Sequence, residues 1–256
     1  MATADHFEKQ LRHWSATASV EARLPGGARN EVRTVRIAGR RYVARQSLRP
    51  EPAVVWETDL LRHLSDRGIR VPTPIEARDG RFHIDGFMVL EWLDGEPPRT
   101  ASEWKMAASA LATVHAATTG WPQRPGFAST TELLTRDAGG DVDLSVMPAE
   151  VVNWLRSAWL PLRDCQMSVV HGDPHAGNIR ITAQGAGLID WDEARVDASM
   201  LDFSDIPVDP EPAVTKEFME IVRIAADAWE AAACWDLEPA YARGRLQSLK
   251  VRTGNP

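Results

Sequence analysis

Two short polar segments carry residue types whose spacing could support chemistry. The first, residues 171–178 (HGDPHAGN), lies between two apolar runs. The second is the run LIDWD at residues 188–192, where Asp190 follows a strand-like stretch. A loop between two antiparallel strands curls back on itself, and the second strand would deliver its aspartate beside that loop. We therefore expect Asp173, Asn178 and Asp190 to meet around one point.

Phosphoryl transfer from a nucleoside triphosphate needs these residue types. A carboxylate orients the acceptor hydroxyl and takes its proton late, while hard oxygen ligands hold the Mg²⁺ that offsets the charge of the donor phosphates. Asp173 is the predicted base, and Asn178 and Asp190 are the predicted metal ligands. His175 is a further conceivable metal ligand, but we expect His175 and His171 to brace the loop through hydrogen bonds.

The two segments resemble the aminoglycoside phosphotransferase family, which includes choline, homoserine and methylthioribose kinases and is related to the protein kinases. The family pattern H-G-D-x-H-x-x-N is intact at residues 171–178, and its I-D-W segment is intact at 189–191. The resemblance covers nearly the whole chain. It implies Mg²⁺-dependent transfer of the γ-phosphoryl group of ATP, or GTP, to a substrate hydroxyl.

The resemblance also implies residues for the nucleotide. Gly26 and Gly27 are similar to the family's turn over the phosphates, although a plain hairpin turn fits that segment equally well. Glu57 lies on the helix after the third strand, where kinases keep a glutamate that pairs with a strand lysine. Glu91 and Leu93 lie in a segment that looks like the hinge, where backbone atoms would bind adenine.

Arg45 is a departure from the family pattern, which usually has a phosphate-binding lysine on the third strand. Arginine can hold phosphate oxygens and Glu57 with a bidentate fork. Arg40 or Arg41 would serve if the register were shifted. Trp92 would either stack on adenine or pack within the hinge.

The elements that must position these residues follow from hydrophobic periodicity and turn signals. The first part of the chain is predicted to hold a short helix through Phe7, Leu11 and Trp14, a longer helix over 52–67, and strands over 20–24, 31–37, 42–45, 74–77 and 82–93. The second part is predicted to hold helices over 102–117 and 149–162 and from 212 onward, and strands over 167–170, 178–182 and 187–191. Residues 118–148 give no defined pattern.

We therefore predict an α+β, two-lobed, protein-kinase-like fold. Residues 1–92 would form a small N-terminal antiparallel sheet lobe that binds the nucleotide, and residues 93–256 a larger, mainly helical catalytic lobe.

Composition excludes several classes of protein. The net charge of −7 disfavours nucleic acid as a partner, and no apolar run is long enough to span a membrane. The polar start of the chain does not resemble a signal peptide, and two cysteines cannot build a disulfide framework or a four-ligand zinc site. We expect a cytoplasmic monomer.

The acceptor is predicted from an acidic series that follows the second segment. Such a series is either a solvated loop or an anionic rim that attracts a cationic acceptor. Its members are Asp190, Asp192, Glu193, Asp197, Asp202, Asp205, Asp209 and Glu211. The predicted acceptor contacts are Asp192, Glu193 and Asp197, while the resemblance implies that Asp202 would instead hold the catalytic loop.

The first candidate acceptor is an aminoglycoside-like antibiotic, which would make the protein a resistance kinase. A metabolic kinase for a small alcohol, a sugar or homoserine is the alternative. A third hypothesis, suggested by Arg45, is a nucleotide-binding module without transferase activity.

Overall fold

The computed structural model describes residues 4–24, 30–208 and 214–253. The described chain divides into two compact units, one ending at Glu96 and including Gly187–Ile189, the other holding the remaining residues. Gly26 and Gly27 lie outside the described residues. None of the helices in the described ranges is long and apolar enough to cross a membrane.

The first unit is built around an antiparallel sheet. Its helices are α1 (Ala4–Leu11) and α2 (Glu51–Asp66), and its strands are β1 (Ser19–Arg23), β2 (Glu31–Ile37), β3 (Arg40–Gln46), β4 (His83–Ile84) and β5 (Phe87–Glu91). The strand order is β1-β2-β3-β5-β4. Ala38 and Gly39 both have positive φ angles, which suits a tight hairpin turn between β2 and β3. Phe7 and Leu11 of α1 and Phe87 of β5 are fully buried in one hydrophobic cluster.

One predicted strand of the first unit is wrong. Residues 74–77 form no strand and make only an isolated bridge, between Pro74 and Leu90. Pro74 has no backbone N–H to donate to a ladder, and Pro72 lies just before it. The predicted break at Asp85-Gly86 is present, and it separates β4 from β5.

The second unit is mainly helical. Its helices are α3 (Ala101–Ala117), α4 (Ala149–Trp159), α5 (Lys216–Ala233) and α6 (Pro239–Thr253). Its short strands are β6 (Ala138–Gly139), β7 (Val142–Asp143), β8 (Met167–Val170), β9 (Ile179–Thr182), β10 (Gly185–Leu188) and β11 (Arg195–Ala198). A single turn of 3₁₀-helix, Ala176–Asn178, leads into β9, and a further 3₁₀ segment spans Ser199–Phe203.

Local sequence explains where two of these helices begin. Thr100 and Glu103 form a reciprocal capping box at the start of α3. Thr215 caps α5 by accepting a hydrogen bond from the backbone N–H of Phe218. The buried face of α3 carries Leu111, Val114 and His115 inward, so one polar side chain enters the core of this unit.

The strand pairing differs from the expectation in the region of the catalytic segment. The strands on either side of residues 171–178 do not pair with each other, because β8 pairs with β11 and β9 pairs with β10. Strand β11 was not predicted, and β10 ends at Leu188, before Asp190. The α+β class, with a small N-terminal antiparallel sheet and a larger, mainly helical C-terminal part, is confirmed. The functional boundary after residue 92 stays a prediction.

Candidate active site

The loop after β8 is held by a buried carboxylate. Asp202 is 1% exposed and accepts hydrogen bonds from the backbone N–H groups of His171 (2.8 Å) and Gly172 (3.0 Å). The Nε2 atom of His115 lies 2.8 Å from Oδ2 of the same carboxylate. Burial alone would raise the pKa of Asp202, but the hydrogen bond and charge of His115 hold it below its ordinary value. Asp202 is therefore an ionised anchor for the start of the loop.

Position 172 requires glycine for two reasons, its backbone conformation and the lack of room for a side chain. Its φ angle is +90°, and a Cβ at this position would lie 2.7 Å from the carbonyl oxygen of Glu193. The preceding residue, His171, is fully buried, and its Nδ1 accepts from the N–H of Asp173 at 3.3 Å. Its ring packs against Trp191 with 4.7 Å between centroids. The prediction that His171 braces the loop agrees with these contacts.

Asp173 and Asn178 are in direct contact. The amide nitrogen of Asn178 donates to the backbone oxygen of Asp173 at 2.9 Å and to its Oδ2 at 3.0 Å. Because both hydrogen bonds use the nitrogen, the amide oxygen is the atom that would ligate a cation. Asn178 is 8% exposed, so its orientation is fixed by packing as well as by Asp173.

Asp190 lies near enough for its charge to act on Asp173. Partial burial raises the pKa of Asp173 to about 8, and the charges of Glu193, Glu230 and Asp190 add to this effect. The Asp173 side chain is still 43% exposed, so it is open to an acceptor. The structure thus brings Asp173 and Asn178 into contact, while the convergence of Asp190 on the same point stays a prediction that its charge effect supports.

The backbone of Asp190 has a left-handed φ angle of 65°, which is uncommon outside glycine. Aspartate tolerates this region better than most residues because its short side chain can bond locally. Asp190 directly follows residues 187–189 in the chain, and it is exposed.

His175 closes the small 3₁₀ turn. Its Nδ1 accepts from the N–H of Gly177 at 2.8 Å, and its Nε2 lies 3.5 Å from Oδ2 of Asp173. Within the described ranges, no group of three or more histidine, cysteine, aspartate or glutamate side chains is arranged to hold a metal. The contacts of His175 are those of a loop brace.

Arg124 holds the segment that follows Asp190, and sequence reasoning missed it. This arginine is fully buried, and one guanidinium nitrogen donates to the backbone oxygens of Trp191 (3.2 Å), Asp192 (2.8 Å) and Ala194 (3.2 Å). Its guanidinium carbon also lies 4.7 Å from the ring centroid of Phe127. The residue lies in the region without a sequence pattern, about seventy positions from its acceptors.

Replacing Arg124 by methionine is expected to destabilise the protein by about 3 kcal/mol, because three buried carbonyl groups lose a charged donor. Urea unfolding measures the change. The matched control is Arg136→Met, since Arg136 is 50% exposed in its ion pair with Glu132 and should contribute less than about 1 kcal/mol. Equal effects of the two substitutions would refute the role given to Arg124.

Two of the predicted acceptor contacts need correction. Asp197 is fully buried, accepts from the N–H and the hydroxyl of Thr130, and pairs with Arg195 at 3.0 Å. The prediction that Asp197 contacts the acceptor is wrong, because its carboxylate oxygens are bonded to Thr130 and Arg195 inside the second unit. Asp192 is 5% exposed and is likewise not part of an exposed rim. Glu193 is partly exposed, and its charge raises the pKa of Asp173, so its contact with the acceptor stays a prediction.

In the first unit, Arg45 pairs with Glu57. The Arg45 side chain is 4% exposed and that of Glu57 is 1% exposed. The same guanidinium nitrogen lies 3.3 Å from the sulfur of Met88. Arg41 instead lies over the ring of Trp92, and Arg40 over that of Tyr42. Arg45 is therefore the strand arginine that meets Glu57, while its contact with phosphate stays a prediction.

The predicted hinge has a defined backbone. Glu91 ends β5, and its N–H donates to the carbonyl of Thr73 at 2.9 Å. The backbone contacts of Glu91 and Leu93 with adenine stay predictions. A Cβ at Gly187 would lie 2.5 Å from the side chain of Leu93, which places Leu93 against that glycine. Trp92 donates from its indole nitrogen to Asp94 at 2.8 Å. With Arg41 over its ring, this residue has the contacts of hinge packing.

A small cavity of about 50 Å³ lies beside Asp173 in the second unit. Sequence reasoning missed one of its walls, Glu230, because Phe218, Val222, Ala225 and Trp229 read as the core face of a helix. Burial raises the pKa of Glu230 from 4.5 to about 7, and the charge of Glu193 adds to the rise.

The raised pKa of Glu230 predicts how stability varies with pH. Between about pH 4.5 and 7 the unfolded chain releases this proton while the folded chain keeps it, so folding stability falls as pH rises through that range. Glu230→Gln removes this loss. We expect the Tm of the variant, relative to that of the native chain, to increase between about pH 5 and 8. A difference in Tm that is independent of pH would contradict the assignment.

Comparison with known proteins gives a consistent result. A model of the phosphotransferase enzyme family matches residues 21–245. No curated protein matches the chain significantly. A choline kinase from Streptococcus pneumoniae is similar in structure, with a TM-score of 0.64, 17% identity and coverage of 93% of this chain and 94% of that one.

Two kinase complexes are also similar in structure. The aminoglycoside phosphotransferase APH(4)-Ia, in a ternary complex with AMP-PNP and hygromycin B, gives a TM-score of 0.68, 16% identity and coverage of 98% and 99%. The amicoumacin kinase hAmiN, in complex with AMP-PNP, Ca²⁺ and Ami, gives a TM-score of 0.60, 17% identity and coverage of 99% and 87%. At these identities the likeness concerns the fold.

Proposed function

Since the chain belongs to the phosphotransferase enzyme family, whose members phosphorylate hydroxyl groups of small molecules, we propose that it transfers the γ-phosphoryl group of ATP to an amine-bearing small alcohol. The observation that carries the proposal is the contact of Asp173 with Asn178, beside Asp190 and an acidic cavity. GTP is the alternative donor.

Asp173 is placed to act on the acceptor. Its partly exposed carboxylate would accept a hydrogen bond from the acceptor hydroxyl and take the proton as the new oxygen–phosphorus bond forms. The bond between the γ-phosphorus and the bridging oxygen breaks, and the nucleoside diphosphate leaves with that electron pair. The hydrogen bonds from Asn178 keep Asp173 in one orientation during this step.

The residues present fit a magnesium ion. Asn178 offers an amide oxygen and Asp190 an exposed carboxylate, which are hard ligands of the kind Mg²⁺ prefers. The concentration of negative charge that raises the pKa of Asp173 is also what a divalent cation would offset. When bound, Mg²⁺ would neutralise the donor phosphates and favour the ionised form of Asp173.

The acceptor is proposed from the chemistry of the cavity. An aminoglycoside-like antibiotic remains the first candidate because the carboxylates of Glu230 and Asp205 line the cavity and suit a cationic amine. A small amino alcohol is a second candidate, because it offers one amine to the same carboxylates beside its hydroxyl. In both cases one amine of the acceptor would enter the cavity.

A panel of hydroxyl acceptors, assayed with ATP and GTP by release of the nucleoside diphosphate, tests the proposal. We expect turnover with at least one amine-bearing alcohol and a strict requirement for a divalent cation. Calorimetry with Mg-ATP and Mg-GTP separates the rival hypothesis of a nucleotide-binding module. Tight nucleotide binding without acceptor-dependent turnover would support that rival.

A further inference from the structure

The cavity beside Asp173 has walls from four segments of the second unit. They are the loop at residues 171–178, strand β11, the region around the 3₁₀ segment Ser199–Phe203, and helix α5. The lining residues that matter here are Asp173, Asp205, Arg195, Trp229 and Glu230. A group bound in this cavity would adjoin the carboxylate that receives the acceptor hydroxyl. The cavity is therefore placed to recognise the acceptor next to its reacting end.

The charge of the lining favours a cation. Asp173, Asp205 and Glu230 supply carboxylates, while Asp202 is engaged with the loop backbone. Arg195 is the one arginine or lysine of the lining, and its Nε donates to Asp197 at 3.0 Å. Its positive charge is thereby shared with Asp197, and the lining carries more carboxylates than guanidinium or ammonium groups.

The aromatic ring in the lining, that of Trp229, is already covered by an arginine of the chain. The guanidinium carbon of Arg195 lies 3.4 Å from the ring centroid of Trp229, and Trp229 is 5% exposed. Among the described residues of the lining, Trp229 is the only tryptophan, tyrosine or phenylalanine. Quaternary ammonium groups are recognised through open aromatic faces, which a cation of the chain covers here.

Glu230 is oriented by a neutral group. The hydroxyl of Tyr241 on α6 donates to Oε2 of Glu230 at 3.2 Å. Arg245 donates from Nε to the Tyr241 oxygen and from a terminal nitrogen to Asp227, each at 2.9 Å. The charge of Arg245 is thus shared with Asp227 and with Asp205, whose Oδ2 lies 3.8 Å from a terminal nitrogen of Arg245. Glu230 is therefore the lining carboxylate that a neutral hydroxyl holds in place.

We infer, on the basis of the proposed function, that Glu230 is a specificity-determining residue that binds a primary or secondary ammonium group of the acceptor and discriminates against a quaternary one. A primary ammonium donates up to three hydrogen bonds, whereas a trimethylammonium group donates none and is bulkier. A site built to accept such a donor loses affinity for an analogue that lacks it.

Ethanolamine and choline are matched probes, since they carry the same hydroxyl and differ in methylation of the nitrogen. We expect kcat/KM of the native chain to be at least about tenfold higher for ethanolamine. Glu230→Gln should lower that value by about 10- to 100-fold more than it changes the value for ethylene glycol, a neutral acceptor that shares any effect of Glu230 on Asp173. Glu217→Gln, an exposed position on the same helix α5, is the matched control and should change neither.

Measurements on the native chain alone can overturn the inference, so the test does not depend on whether the variant folds. A preference for choline, or equal use of both probes, would refute it while the kinase proposal stands. An equal loss of all acceptors in Glu230→Gln would refute it as well. Calorimetry without nucleotide separates the two proposals. Ethanolamine that binds to the native chain and not to the variant supports the inference, and the absence of any phosphorylated acceptor in the panel would then refute the kinase proposal alone. Failure of ethanolamine both to bind and to react overturns the inference.

Discussion

Replacing Asp173 by asparagine is expected to lower kcat by about 10²- to 10⁴-fold while the affinity for Mg-nucleotide stays nearly the same. The asparagine keeps an oxygen that can accept the hydrogen bond from Asn178, so the loop retains its shape. It cannot take the proton of the acceptor hydroxyl. Because the loss lies in the chemical step, the rate constant measured under single-turnover conditions should fall by the same factor as kcat.

Two control measurements on Asp173→Asn are its thermal stability and its affinity for nucleotide. Thermal unfolding and calorimetry with Mg-ATP should match the native chain within error. Native turnover in this variant would reject the role of Asp173 as the base. A parallel loss of nucleotide affinity would instead show that Asp173 acts on the donor.

Replacing Asp202 by asparagine should have the largest effect on stability, lowering the free energy of unfolding by about 3–5 kcal/mol. The buried carboxylate accepts from two backbone N–H groups and lies 2.8 Å from Nε2 of His115. An asparagine amide would bring its own donor against one of these partners. Since the start of the catalytic loop depends on these bonds, kcat should fall as well.

Urea unfolding of Asp202→Asn measures the loss, and Asp164→Asn is the matched control. The Asp164 side chain is 86% exposed in its ion pair with Arg163, so its replacement should change stability by less than about 1 kcal/mol. If Asp202→Asn were as stable as the control, the carboxylate would not be the anchor of the loop.

The candidate site was largely predictable because its chemistry lies in short segments. Asp173 and Asn178 are five positions apart, and a single tight loop brings them together. The first unit was predictable for a similar reason, since its hairpin of β2 and β3 is formed by residues close in sequence. The pairing of Arg45 with Glu57 came from the resemblance to known kinases, and the structure shows that contact.

The supporting residues were harder to predict because their partners are distant in the chain. His115 and Asp202 are 87 positions apart, and no local pattern marks them as a pair. Strand β11 was missed because Arg195 and Asp197 are both buried and pair with each other, so burial does not follow the apolar pattern. Polar residues with interior partners mislead a prediction that rests on hydrophobic periodicity.

The most direct test of the central claim is mass spectrometry of an acceptor incubated with the protein, ATP and Mg²⁺. The account predicts an acceptor product heavier by one phosphoryl group and ADP in equal amount, with both lost when Mg²⁺ is removed. ADP formation with no change in the mass of any hydroxyl acceptor, or a phosphorylated product formed equally well by Asp173→Asn, would contradict it.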